Sequence, residues 1–88
     1  MNEKELEKVL KALANKRRVA ILKYLKRVGT ASVGEIADTI KLSFKATSKH
    51  LVILSNTDIV EKEQISLTMI YFLPKISHPM VAKLLSII

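Results

Sequence analysis

The chain has 88 residues, with 15 Lys or Arg against 8 Asp or Glu and a formal charge of +7. That length suits one domain with a small core, and the absence of cysteine excludes disulfides, thiolate metal sites and thiol redox switches. The N-terminus, MNEKELEKVLKALANKRR, is charged where a signal peptide would be apolar, and no run of about 18 apolar residues exists, so a soluble, cytoplasmic chain with no membrane partner is expected.

Leu6, Val9, Leu10 and Leu13 recur at i, i+3, i+4 and i+7 and predict a first helix within residues 1–14. Asn15 then caps a second helix whose apolar members are Val19, Ile21, Leu22 and Leu25, and Gly29 ends it. Ser32 stands three residues before Glu35, the capping-box spacing that lets each side chain satisfy a backbone donor at a helix start. Val33, Ile36, Ala37 and Ile40 follow on one face, with Glu35 and Asp38 outside. Lys41 and Leu42 carry the chain through a turn to Ser43, a second N-cap, so residues 32–56 read as a helix-turn-helix.

In the second helix of that motif, Thr47, Leu51 and Leu54 face inward, which leaves Lys45, Ser48, Lys49 and Val52 on the opposite side. Beyond Asp58, the segments IVEKE and TMIYFL are β-branched, aromatic and alternating, with Gln64 to Leu67 between them, and predict a hairpin, or wing, over residues 59–73. Pro74 stops its second strand. Pro79 opens a last helix, residues 79–88, with Met80, Val81, Leu84, Leu85 and Ile88 on one face. The fold class is mainly α with a small β-hairpin, a single winged helix-turn-helix domain spanning residues 1–88.

Taken singly, Lys45 and Lys49 are ordinary solvated lysines. The distribution of charge alters that weighting. From Lys8 to Lys49 there are eleven Lys or Arg against only Glu35 and Asp38, so the positive charge gathers around the helix-turn-helix. Such a field suits a polyanion, because neutralising phosphates releases counterions. The four aromatics, Tyr24, Phe44, Tyr71 and Phe72, are too scattered for a base-stacking platform, which favours duplex DNA over single strands or RNA. No triad spacing, paired carboxylates or Gly-rich phosphate loop suggests an enzyme.

The residues ALANKRRVAILKYL (Ala12–Leu25), SVGEIADTI (Ser32–Ile40), LSFKATSKHLVIL (Leu42–Leu54) and IVEKE followed by MIYFL resemble the ArsR-type winged-helix transcription regulators. The Ser48, His50 and Leu51 trio, the stretch Val33 to Ala37 and Arg18 ahead of Ile21 and Leu22 match the most recognisable positions, and the likeness runs from about Leu10 to Leu73. It implies a homodimer built from the first and last helices, an inverted-repeat operator, and transcriptional control, as a repressor, rather than catalysis. DNA contacts are expected at Ser43, Lys45, Thr47, Ser48, Lys49, His50, Arg18 and Lys62. Thr47 is placed nearer the interior, His50 at a phosphate or a helix boundary, and Arg18 at a phosphate or as a bridge between helices. The dimer face is expected at Leu6, Val9, Leu10, Leu13, Met80, Val81, Leu84, Leu85 and Ile88.

The chain departs from the family in several places, among them Lys41 and Asp58, where relatives often have glycine. Val33, Gly34, Glu35 and Ile36 occupy the region of the cysteine-bearing metal motif, and the chain after Pro74 offers His78 but no Asp or Glu, so no metal and no cofactor are expected. The wing is acidic, with Glu61 and Glu63, and carries Lys62 as its only cation, with Ile65 and Leu67 beside Gln64 and Ser66. Anionic side chains are repelled by phosphate, which leaves a protein partner at the wing as the alternative reading: a winged-helix module for protein assembly.

Overall fold

Every helix begins on a side chain that the local sequence supplies. The computed structural model describes residues 2–88 and contains five helices and three strands: α1 (Glu3–Leu13), α2 (Lys16–Val28), β1 (Thr30–Ser32), α3 (Val33–Ile40), α4 (Phe44–Asn56), β2 (Glu61–Ile65), β3 (Thr68–Phe72) and α5 (Pro79–Ile87). Asn2 accepts from the amide of Glu5 at 2.9 Å, Asn15 from those of Arg17 and Arg18, and Ser43 from that of Ala46 at 3.1 Å. Ser32 and Glu35 form the complete capping box, and those bonds from Ser32 hold the Glu35 carboxyl below its usual pKa. At α5 the cap is His78, whose Nδ1 accepts from the Met80 amide at 3.0 Å with Pro79 at the first helical position. Each such cap stabilises by about 1 kcal/mol.

Between α3 and α4, Lys41 adopts a left-handed conformation (φ 55°) and its amide bonds the Ala37 carbonyl, which turns the chain sharply without a glycine. Asp58 (φ 58°) does the same after α4 and leads Ile59 and Val60 down into the core, so both are fully buried although neither is in a strand. The first strand of the wing therefore starts later than the composition suggests. Strand β2 begins at Glu61 and runs through Gln64 and Ile65, and only Ser66 and Leu67 form the turn. Ser66 takes a positive φ of 58° at the first turn position, the type II′ arrangement whose twist matches a hairpin.

The wing is also more than a hairpin. Strand β1, not foreseen from the sequence, pairs antiparallel with β3 (Thr30 opposite Phe72, Ser32 opposite Ile70), giving a three-stranded sheet in the order β1-β3-β2. Three residues of TAS carry no periodicity of their own; the backbone of β3 selects the extended state. On the other side β2 pairs β3 from Glu61 opposite Phe72 to Ile65 opposite Thr68, and every β2 residue is exposed because β2 is an edge.

The core joins all helices to this sheet. Ile21, Leu22 and Leu25 of α2, Ile36 of α3, Leu51 and Leu54 of α4, Ile59 and Val60 of the segment after α4, and Val81 of α5 are almost inaccessible to solvent, and Tyr71 reaches in from β3. Burial of each large side chain is worth about 1.5–3 kcal/mol. Val9 and Val81, expected at a dimer face, belong instead to this core: the turn of α1 and α5 against α2 points both inward within the same subunit.

Candidate nucleic-acid interface

Helix α4 is fixed by its inward row. Thr47, Leu51 and Leu54 are fully buried against α2 and α3, which turns Lys45, Lys49 and Val52 to solvent and leaves Ser48 half-buried at the edge of that face. A direct DNA contact by Thr47 is thereby corrected: the side chain is 0% exposed and its Oγ1 has no hydrogen-bond partner. At the start of α4 the Ser43 cap is exposed, and the first-turn amides there point outward at the positive end of the helix dipole, an arrangement suited to phosphate. Two contributors escaped the sequence reading. Phe44 is 63% exposed in the first turn, ahead of the packed part of the helix, and Ile53 lies exposed beside Val52. Phe44 could have been noticed as the residue next to an N-cap, where an aromatic has no preceding turn to pack on.

Behind α4, the cations of α2 meet helix ends rather than acids. Arg18 donates through Nε to the Ala12 carbonyl and through Nη2 to that of Lys11 (3.1 Å), closing the C-terminus of α1, and its Nη1 lies 3.2 Å from His50 Nδ1 on α4. Of the two roles foreseen for Arg18, this geometry builds the bridge. A guanidinium can only donate, so His50 Nδ1 accepts and the ring proton sits on Nε2. Burial, with the charges of Arg18 and Arg17 added, holds the His50 pKa below its ordinary 6.5 and keeps the ring neutral. Arg17 Nη1 donates to the Ile40 carbonyl at the end of α3 (3.1 Å), and Lys26 Nζ to the Leu85 carbonyl in α5. The carbonyl partners of Arg17 and Lys26 lie 23 and 59 residues away in the chain and leave no local signal.

At the wing, Lys62 is exposed opposite Tyr71, while Glu61, Glu63 and Ile65 share the other face of the edge strand. Leu67 at the tip is 97% exposed.

The first and last helices lie side by side and leave a second unpartnered surface. Leu10, Met80 and Ile87 are exposed there, with Leu13 and Leu84 half-buried, around an apolar groove of about 330 Å³. Ile87, 73% exposed, was missed because the helical face chosen from the sequence ran through Val81 and Leu85. Leu6, Leu85 and Ile88 are half-buried. Among the described residues no group of His, Cys, Asp and Glu is placed to hold a metal ion, and no helix is long and apolar enough to cross a membrane.

A capped helix presenting lysines beyond a tight turn, backed by three helices and flanked by a hairpin, defines a winged helix-turn-helix DNA-binding domain. The profile of the bacterial regulatory proteins of the arsR family matches residues 15–62, and the chain belongs to that family. Among solved structures it is similar to reduced HlyU from Vibrio cholerae (32% identity, TM-score 0.82, covering 98% of this chain and 86% of that one). NolR from Sinorhizobium fredii is similar at 30% identity and TM-score 0.82, covering 96% of this chain and 80% of that one. So is a homodimeric winged helix-turn-helix DNA-binding domain from Mycobacterium bovis, at 28% identity and TM-score 0.81, covering 96% of this chain and 74% of that one. No curated protein sequence matches. The chain is thus a DNA-binding transcriptional regulator of the ArsR type.

Proposed function

We propose that this regulator is a homodimeric repressor that reads an inverted-repeat operator in double-stranded DNA. One observation carries the proposal: buried Thr47, Leu51 and Leu54 leave α4 a single free face, and that face holds Lys45 and Lys49 with Ser43 capping its start. Lysine at such positions reaches base edges in the major groove, Ser43 and the first-turn amides hold a phosphate, and Ser48 lies between them. His50, neutral with its proton on Nε2, serves as a donor to backbone oxygen, and Lys62 reaches the sugar-phosphate from the wing.

Pairing through Leu10, Leu13, Met80, Leu84 and Ile87 covers apolar surface that the subunit leaves open, and the similar Mycobacterium bovis domain is described as homodimeric. Leu6, Leu85 and Ile88 border this face. A two-fold pair sets its two recognition helices about one DNA turn apart, roughly 34 Å, and so requires a palindromic site. A dimer seated on an operator that overlaps a promoter excludes the polymerase, and that is the sense in which the domain acts as a repressor.

The test replaces Lys45 and Lys49 together by Ala and measures fluorescence anisotropy on selected operator DNA and on random DNA. Loss of discrimination by at least about a hundredfold is expected, with a melting temperature close to the parent's. Unchanged operator affinity would reject α4 as the reading helix.

A further inference from the structure

Two features remain outside this account. The wing is apolar at its tip and acidic along the outer face of β2 in a protein built to approach phosphate, and a groove on the far side of α2 is apolar and cationic. The groove has a volume of about 460 Å³ and lies where α2, the end of α3 and the end of α5 meet. Ala20, Tyr24, Ile40 and Ile88 form its floor. Lys23 and Arg27 stand exposed on its rim, Arg27 over the Tyr24 ring at 5.4 Å, and none of the described lining residues is acidic.

We propose that this groove receives the wing of a second copy of the chain. The complementarity is both chemical and metric. Ile65 and Leu67, 55% and 97% exposed, would otherwise remain in water, and the groove offers them an apolar floor of matching scale. On the same face of β2, Glu61 and Glu63 stand two strand residues apart, about 6.8 Å, while Lys23 and Arg27 stand four helical residues apart, about 6 Å. With the outer face of β2 laid along the groove, the two carboxylates meet the two cations of the rim in register while Ile65 and Leu67 lie over the apolar floor. The wing and the groove are different patches on one molecule, so the contact is heterologous and joins dimers to one another instead of closing the α1–α5 pair.

The experiment uses the full chain without DNA, followed by sedimentation velocity from micromolar to submillimolar concentration. At low salt the parent forms species larger than its basal state, and these dissolve as salt is raised to about 0.5 M. A wing-reversed variant (Glu61→Lys with Glu63→Lys) and a groove-reversed variant (Lys23→Glu with Arg27→Glu) each stay at the basal size alone and assemble when mixed, because each supplies the other's missing partner. Leu67→Ser, at a position that packs on nothing in its own subunit, weakens the association about tenfold or more. Failure of the α1–α5 pairing alone would make the basal species a monomer while leaving these differences intact. A parent of constant size at low salt, or a mixture that does not assemble, overturns the proposal. So does a groove that instead takes a small apolar carboxylate: octanoate raising the parent's melting temperature, but not that of the groove-reversed variant, with no self-association in either.

Discussion

Helix α4 and the wing are neighbours in the chain and carry opposite chemistry. The helix hides three apolar or hydroxyl side chains and exposes cations; the wing exposes every residue of its edge strand and places carboxylates and bare aliphatic groups outward. The helix is thus held by packing and free to recognise, whereas the edge strand is held almost entirely by its backbone ladder to β3. Substitutions in the wing should therefore alter binding with little effect on folding. Substitutions behind α4 should alter folding with little effect on binding chemistry.

The largest effect that sharpens this division is expected at Arg18. Arg18→Ala removes the bridge from the end of α1 to α4 and should lower stability by about 2 kcal/mol in urea unfolding, in the range for hydrogen bonds to a charged group. The salt slope of DNA binding should stay unchanged; a slope reduced by about one would return Arg18 to the phosphate contacts. Next is the wing itself. Glu61→Lys with Glu63→Lys should raise affinity for random and operator DNA alike by about tenfold, read by anisotropy at two salt concentrations, and leave the melting temperature in place. An unaltered affinity would put the wing beyond reach of the duplex.

Thr47 tests the buried side of the comparison. Its hydroxyl lacks a partner, so Thr47→Val should stabilise the fold by about 1 kcal/mol and leave operator affinity untouched. Weaker binding would make Thr47 a contact after all. The last prediction has a direction only. The His50 pKa is depressed in the folded chain, so the unfolded chain binds the proton more readily, and stability present above pH 6.5 is lost as pH falls through the folded value. Urea midpoints of the parent should drop between pH 7 and 5, and those of His50→Gln should drop less.

What the sequence made legible follows from how local each cause is. Asn15, Ser32, Ser43 and Pro79 announce their helices because a cap acts within four residues, and the capping box of Ser32 and Glu35 forms as its spacing requires. Strand β1 was illegible because its state is set by Ile70 to Phe72, some forty residues away. Gln64 and Ile65 read as loop because Ser66 reaches a positive φ without the glycine or asparagine that normally marks such a turn. At the first and last helices, periodicity found the apolar stripes. It could not divide them into Val9 and Val81, which face inward, and Leu10 and Ile87, which face out, since both kinds of burial write the same pattern.

The cations of α2 have one further effect. Arg17, Arg18 and Lys26 are matched with the carbonyl ends of α3, α1 and α5, and the one ion pair among the described residues is the exposed Lys11–Glu7 contact at 3.9 Å. The cations are therefore held by backbone dipoles with almost no neighbouring carboxylates to offset their mutual repulsion, and the free molecule, with a net charge of +7, strains against its own field. Dissolved salt relieves that repulsion while it competes for the duplex, so one change of buffer has two opposite results: added ions make the unbound regulator harder to unfold and easier to strip from DNA. Bound phosphates do what the salt does, so the regulator should resist unfolding more on its target than off it.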